Sequence, residues 1–298
     1  MRAAVVSRFG GPEAIEIVET AVPAPGPGQV RIQVAAAALN PVDAATRAGV
    51  FGARGDLTGL GWDVAGTVGA VGEGAPFAVG DPVFALFTGH HKELGTHAEQ
   101  VVLDAGAVAR APKSVDATHA ATLPLNTLTA AQSLDRLGLR PGQRLLITGA
   151  GGGVGAHAVE LAAHRGLEVT ALGPDHAEDF LRSRGAAHFL PRGTEPGAGA
   201  FDGVLDAAGL GADALKAVRD GGAYMGLWPG QEPAAERGVV VQALSVEADG
   251  PLLAELARLT DEGVLLPRVA RTYPLDEVAE AHTRLAEGGL PGRLVLVP

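Results

Sequence analysis

The 298-residue chain contains no cysteine. That absence removes disulfides, thiolate metal sites and cysteine nucleophiles from consideration. Lysine occurs three times, and tyrosine and tryptophan twice each. Acid catalysis by tyrosine therefore has two candidates, Tyr224 in an apolar strand and Tyr273 ahead of a late helix, and neither is persuasive. No apolar run approaches the ~20 residues of a membrane-spanning helix. The first segment, "MRAAVVSRFGGPEAIEIVE", has no long apolar stretch and turns acidic early, unlike a secretory signal. Positive charge is also lacking: the net charge is −11. Nucleic-acid phosphates and anionic membranes both need a basic footprint, so neither is an expected partner. The expectation is a cytoplasmic protein acting on a small molecule, with any anionic ligand held by local positive potential.

What is present is a globular composition, 47% hydrophobic and 19% charged, with length for one large domain or two smaller ones. The first third reads as β-structure. "QVRIQVAAA" and "AGTVGAVG" are short apolar strands, and "APGPGQ", "GEGAP" and "VGDPV" are turn chemistry. From residue 113 the rhythm changes. "HAATLPLNTLTAAQSLDRLGLRPGQ" reads as helices ending at Gly138 and Pro141. Strands at Leu145–Thr148, Glu168–Leu172, His188–Leu190, Val204–Asp206 and Ala223–Leu227 then alternate with helices at Val154–Arg165, Asp175–Arg184 and Ala212–Arg219. Such alternation implies a parallel sheet covered on both faces. A helix near Leu252–Glu262 and a strand in "GGLPGRLVLVP" complete the chain. The expected division is 1–112 plus 264–298 for one domain and 113–263 for the other.

The stretch "RLLITGAGGGVGAHAVELA" carries the sharpest signal. An apolar strand runs into a glycine turn and then into a helix. Glycine lets a backbone turn tightly and approach a diphosphate without a Cβ in the way, and the helix N-terminus adds free N–H groups. Ala150-x-Gly152-x-x-Gly155 fits the dinucleotide fingerprint, with Ala150 where the first glycine usually stands. The candidate diphosphate contacts are Ala150, Gly151, Gly152, Gly153, Val154 and Gly155. The competing reading is a glycine turn that only packs helix on sheet. No Gly-Lys-Ser/Thr follows, so this is not a P-loop.

An acid that binds the ribose 2′-hydroxyl should end the next strand, about 20 residues on. Leu172-Gly173 stands there instead, which leaves room for a 2′-phosphate, although Asp175 follows closely. Nearby cations are His176, Arg182, Arg184 and Arg192. NADPH is favoured, with NADH possible. Gly173 and Ala207, each at the end of a strand, complete the candidate cofactor contacts of the sheet.

Together "ALNPVDAATRAG", "GWDVAGTVGAVGEG", "VGDPVFAL", "GTHAEQVV", "AATLPLNTLTAAQSL", "LLITGAGGGVGAHAVELA" and "YPLDEVAEAHTRLAEGGLPGRLVLV" resemble the medium-chain dehydrogenase/reductases, in their zinc-independent quinone oxidoreductase branch. The resemblance spans nearly the whole chain. It implies an α/β fold with a GroES-like β-barrel catalytic domain, an inserted Rossmann doubly wound parallel sheet, and an active cleft where the two meet. By position it places Thr129 close to the cofactor and Arg192 near the 2′-phosphate, where an arginine pairs better than the tyrosine of relatives; the alternative for Arg192 is a solvated loop cation. Relatives often carry a lysine near Asp175-His176, and none is present. Asn126 is read as orienting Thr129 or the ribose.

The zinc-using branch has Cys at the position of Asn40 and His-Glu at Trp62-Asp63. "NPVD" and "GWD" supply neither thiolate nor imidazole there, His90 and His91 are adjacent, and His97 is isolated, so no zinc is expected. Asn40 is the first choice to line the nicotinamide site, against the alternative of a turn residue before Pro41. Asp43 and Arg47, at helical spacing, are read as a structural pair, and Asp63 as a buried structural carboxylate.

Without a metal, a conjugated acceptor is the easier hydride target, because charge flows to a remote oxygen that needs only hydrogen bonds. The implied activity is NADPH-dependent reduction of a quinone or α,β-unsaturated carbonyl. Alternatives are an enoyl-thioester reductase in biosynthesis and a non-catalytic dinucleotide-binding protein. The fold often dimerises through Rossmann sheet edges, so a homodimer is expected, with "GGAYMGLW" as the edge strand. Substrate choice falls to the loops "TRAGVFGARGDL" and "LFTGHHKELG".

Overall fold

The computed structural model describes residues 1–52 and 55–298. Strands β1 (Arg2–Val6), β2 (Ile15–Glu19), β3 (Gln29–Leu39), β4 (Thr58–Gly59), β5 (Asp63–Val71), β6 (Pro82–Leu86), β7 (Gln100–Asp104) and β8 (Val108–Arg110) fill the first third, with helix α1 (Pro41–Arg47) between β3 and β4. Helices α2 (Ala117–Ala120) and α3 (Pro124–Leu137) follow. The alternating region is β9 (Arg144–Thr148), α4 (Gly153–His164), β10 (Glu168–Gly173), α5 (Glu178–Ser183), β11 (His188–Pro191), β12 (Phe201–Asp206), α6 (Ala212–Lys216), β13 (Val218–Gly226) and β14 (Val240–Ala243). Helix α7 (Gly250–Asp261), β15 (Val269–Pro274), α8 (Val278–Glu287) and β16 (Arg293–Val297) end the chain.

Two compact units result. The first comprises Met1–Leu125, Glu247–Gly263 and Pro267–Pro298; the second comprises Asn126–Val246 and Val264–Leu266. In the first, strands run in the order β15-β16-β3-β5-β6-β8, β7 pairs with β3, and β2-β1-β4 form a smaller sheet. The alternation of β3 explains its place: Val30, Ile32 and Val34 face a core with Val64, Val68, Val83, Val101 and Leu103, while Gln29, Arg31 and Gln33 face outward. The terminal strand β16 pairs antiparallel with β3.

The units part at other points than residues 113 and 263. Lys113 and Ser114 donate their backbone N–H groups to Asp261 of α7, both at 2.8 Å. A Cβ on Gly250 would lie 2.7 Å from the carbonyl oxygens of Gly106 and Val108. These contacts hold α7 in the first unit.

The second unit contains a six-stranded sheet, β11-β10-β9-β12-β13-β14, parallel throughout. Numbered from β9, this is the order 3-2-1-4-5-6 of dinucleotide-binding folds. Leu145, Leu146 and Ile147 of β9 are all buried, as both faces of a covered parallel sheet require. Three details differ from the sequence reading. Helix α6 stops at Lys216 because Val218 already pairs with Phe201. The segment from Asp175 opens as a 3₁₀ turn, and α-helix begins at Glu178. "GGAYMGLW" is not an edge: β13 lies between β12 and β14, and the short β14 is the outer strand on that side. Its "VVQA" carries too little apolar patterning to be found by periodicity.

Candidate active site

In the second unit, β9 ends at Thr148 and the chain turns at Gly149, whose φ of +60° favours glycine. Ala150 is fully buried and donates its N–H to the Leu172 carbonyl at 3.0 Å, which anchors the turn to β10. Gly152 donates to the Gly149 carbonyl at 2.9 Å and stands at the N-cap of α4. Gly153, Val154 and Gly155 form the first helical turn, and no side chain caps it. First-turn amides have no acceptor within their own helix and carry its positive dipole end.

A Cβ on Gly155 would run into the Gly149 carbonyl oxygen and lie 2.7 Å from the Ala150 Cα. One on Gly151 would lie 3.1 Å from Pro174 Cδ, and one on Gly173 would lie 3.4 Å from the Gly151 nitrogen. The Cβ position of Gly149 is 3.0 Å from the Ala207 carbonyl carbon. Gly149 to Gly155, Gly173 and Ala207 thus gather at the carboxyl ends of β9, β10 and β12, where the strand order reverses. That crevice is where such sheets bind nucleotides, and its bare backbone fits a dinucleotide diphosphate.

Beneath the crevice lies a polar knot that periodicity does not reveal. Thr148 Oγ1 donates to Asp206 at 2.6 Å and accepts from the Ala208 N–H at 3.0 Å. Tyr224 donates its hydroxyl to the other Asp206 oxygen at 2.7 Å. Burial first, and then Asp206, hold the Tyr224 phenol well above its ordinary range, so it locks strands as a neutral donor.

The four cations near the end of β10 separate by partner. Arg182 pairs with Glu178 at 2.8 Å, and Arg184 pairs with buried Glu160 at 2.8 Å while also donating to the Val264 carbonyl. Arg192 is exposed and, among the described residues, has no hydrogen-bond or ion-pair partner; the same holds for His176. Arg192 directly follows Pro191, which sits in register with Gly173. Asp175 points to solvent. Asn126 and Thr129 are buried residues of α3, three positions apart, hence on one helical face.

The first unit holds a second constellation. Asn40 precedes α1 and is fully buried. Its side-chain nitrogen donates to Asp63 at 2.6 Å, and its oxygen accepts from Arg293 at 2.6 Å. Asp63, fully buried, also accepts the Leu125 N–H at 2.6 Å. Burial pushes its carboxyl up to about 7, against the pull of Asn40, the Leu125 N–H and Arg293. The pair expected between Asp43 and Arg47 does not form. Asp43 reaches back to the Asn40 N–H at 2.7 Å and to the Gly61 N–H at 2.9 Å. Arg47 faces His282 Nδ1 at 3.3 Å instead. A guanidinium only donates, so Nδ1 accepts and the neutral His282 ring carries its proton on Nε2. His97 is fully buried, with Nε2 3.2 Å from the Ala38 carbonyl.

Gly61 is the hub of this unit. Its φ is +102°, and an added Cβ would strike Thr96 and His97. Its carbonyl accepts from Lys92 Nζ at 2.9 Å; the Phe87 carbonyl accepts from the same Nζ at 2.7 Å. Lys92 is nearly buried, with Nζ 4.6 Å from the ring centroids of both Trp62 and Phe87. His90 stacks on Phe51 at 3.8 Å and tilts toward Trp62 at 5.2 Å. Ala53 and Arg54, in the first of the two expected substrate loops, lie outside the described residues.

The donors at the positions of the zinc-using branch are an amide, an indole and a carboxylate, the carboxylate already engaged by two N–H groups and neighboured by a buried guanidinium. They do not fit a zinc ion, which takes Cys, His or carboxylate ligands at about 2.0–2.3 Å. Among the described residues no three His, Cys, Asp or Glu side chains are grouped to hold a metal, and no helix is long and apolar enough to cross a membrane.

Comparison with known proteins agrees with this architecture. Residues 26–113 match the alcohol dehydrogenase GroES-like domain, and residues 176–296 match a family described as zinc-binding dehydrogenase. The chain is 32% identical to the chloroplastic NADPH-dependent alkenal/one oxidoreductase of Arabidopsis thaliana, over all of this chain and 80% of that one. The solved quinone oxidoreductase from Coxiella burnetii is 25% identical, with a TM-score of 0.86 over 100% of this chain and 99% of the other. The solved CurK enoyl reductase is also 25% identical, with a TM-score of 0.86 over 99% and 98%. The chain belongs to the medium-chain dehydrogenase/reductase superfamily, in its quinone oxidoreductase-like branch. It is an oxidoreductase enzyme that uses a nicotinamide cofactor, which sets aside the non-catalytic alternative.

Proposed function

We propose that the enzyme uses NADPH to reduce a quinone or an α,β-unsaturated carbonyl without a metal ion. The observation that carries this reading is the buried Asn40–Asp63–Arg293 centre, whose donors suit one another and not zinc. A plain ketone needs a strong electrophile at its oxygen, whereas a conjugated acceptor disperses charge over several atoms. The bound dinucleotide supplies the hydride. The amides around Gly152 to Gly155 hold its diphosphate, Gly173 and Ala207 keep the crevice open, and Asn126 and Thr129 order its nicotinamide half. Arg192 selects the 2′-phosphate: it lacks a partner among the described residues and stands beside the strand end where an acid would exclude that group. Asn40 serves the nicotinamide site by positioning, since Asp63 and Arg293 already hold its amide. A homodimer and a cytoplasmic setting belong to the proposal, with β14 offering the sheet edge.

Steady-state oxidation of NADPH and of NADH with a panel of quinones and enones tests the reading. The expected result is turnover of conjugated acceptors that survives dialysis against a chelator and prefers NADPH. No turnover with any conjugated acceptor sinks it. The likeness to an enoyl reductase fold supports a second reading, reduction of an enoyl thioester. Preference for acyl thioesters over free enones by at least tenfold in kcat/KM would favour it.

A further inference from the structure

Three neighbouring strands of the second unit place Thr148, Asp206 and Gly226 in one row, because Asp206 is in register with both of the others. Tyr224 lies two residues before Gly226 on β13 and so faces the same side of the sheet. Its ring runs along the strand past Gly226, where an added Cβ would lie 3.4 Å from Tyr224 Cε1, and its hydroxyl reaches Asp206.

Asp206 ends β12 and is almost fully buried. Its carboxylate accepts from Thr148 Oγ1 at 2.6 Å, from the Tyr224 hydroxyl at 2.7 Å and from the Gly211 N–H at 2.8 Å. Among the described residues no arginine, lysine or histidine pairs with it. A buried carboxylate without a cation is costly, and the sheet does not need one. The strands already pair through their backbones, and apolar side chains in this row would hold them as firmly.

What the network holds besides strands is a loop. Residues 207 to 211 join β12 to α6, and Ala208, Gly209 and Leu210 are exposed. Ala208 donates its N–H to Thr148 Oγ1 at 3.0 Å, and Gly211 donates its N–H to Asp206. Both ends of the loop are therefore tied to one buried cluster. A Cβ on Gly149 would lie 3.0 Å from the Ala207 carbonyl carbon and 3.1 Å from the Ala208 nitrogen. The tied loop thus lies directly against the glycine turn.

We infer that Thr148 and Asp206 are positioning residues for the dinucleotide: they hold the loop from Ala207 to Gly211 in its binding shape before the cofactor arrives. The inference rests on the reading of this crevice as the cofactor site. A loop ordered in advance loses little freedom on binding, so the ligand keeps more of its interaction energy as affinity. Thr148 is the pivot, since its hydroxyl donates to the carboxylate and accepts from the loop at once. Tyr224 makes no hydrogen bond to the loop among the described residues; it anchors Asp206 to β13.

Thr148→Val, Thr148→Ser and Tyr224→Phe test the assignment. Valine keeps the shape of threonine and loses both hydrogen bonds, whereas serine keeps the hydroxyl. If the tied form of the loop drops to about a tenth of the population, the apparent Kd for NADPH rises about tenfold. T148V is expected to show that rise by cofactor fluorescence and in KM for NADPH, with kcat on a quinone held within about threefold. T148S should bind NADPH within about twofold of the wild type, because its hydroxyl makes both bonds. Y224F should lower the urea midpoint as T148V does, yet leave NADPH affinity within about twofold.

Wild-type affinity in T148V, a loss confined to its kcat, a T148S as weak as T148V, or an equal loss in Y224F would overturn the inference and leave the cofactor reading intact. A wild type that does not bind NADPH would overturn both. If T148V folds poorly, hydrogen exchange of the wild type without cofactor decides. The Ala208 and Gly211 amides should then be protected at least about tenfold more than the Gly209 amide between them. Equal protection across the loop is fatal to the proposal.

Discussion

Arg293, in the last strand, donates to the Asn40 side-chain oxygen at 2.6 Å across 253 residues of sequence. Strand pairing dictates the meeting. Leu294 is in register with Leu39, and Val295 with Ala38, so the antiparallel ladder brings Arg293 opposite Asn40. Asn40 is thereby held by a guanidinium and a carboxylate.

Breaking this centre is costly. Arg293→Met strands the buried Asn40 oxygen and the Leu39 carbonyl and is expected to destabilise the fold by about 1–3 kcal/mol for each acceptor left unpaired. Asn40→Ala, which strands one donor and one acceptor, should cost about 1–3 kcal/mol. Urea unfolding of both singles and the double variant checks this. Since all three residues share one network, the double should cost clearly less than the sum.

Gly155→Ala places a methyl against the Gly149 carbonyl. The turn must shift, at a cost of about 1–3 kcal/mol, and its amides move with it. NADPH binding, followed by the fluorescence of the reduced cofactor, should weaken by at least tenfold. Undiminished affinity would show that the turn only packs helix against sheet.

If Arg192 selects the 2′-phosphate as proposed, Arg192→Ala removes a charge-assisted contact worth about 1.5–3 kcal/mol. Affinity for NADPH is expected to drop about tenfold to 100-fold, with NADH unaffected. Equal losses for both cofactors would reduce Arg192 to a general electrostatic effect.

The buried histidines make stability depend on acid. Burial, then His97 and Arg47, hold His282 far below its ordinary value, and burial likewise lowers His97. Below about pH 6.5 the unfolded imidazoles take protons that the folded ones refuse. Stability present above that pH is therefore lost as the pH falls, by at most about 1.4 kcal/mol per unit for each histidine. His282→Asn keeps an acceptor for Arg47 and removes one titration. Unfolding free energies measured from pH 7 to pH 5 should show a shallower decline in this variant than in the wild type.

Much of the glycine turn at the strand ends was legible in the residues themselves. Gly149 to Gly155 must sit where Cβ atoms cannot, and the strand before and helix after them show it. The strands β9, β10 and β12 were found because a doubly covered sheet demands continuous apolar runs. The edge strand β14 was missed because a short outer strand is under no such demand, and α6 was overextended because Val218 and Arg219 suit either structure. The Asp43–Arg47 pairing failed since helical spacing shows which residues are near, and backbone N–H groups competed better for the carboxylate.

The sequence by itself determined the parallel sheet and the glycine turn, because periodicity and glycine's missing Cβ are local properties. Only the tertiary structure decided that Arg293 closes on Asn40, that Tyr224 locks onto Asp206 and that Lys92 is buried between two carbonyls. Those relationships depend on strand register and on which polar groups are withdrawn from water together, and neither is written in any short stretch of the chain.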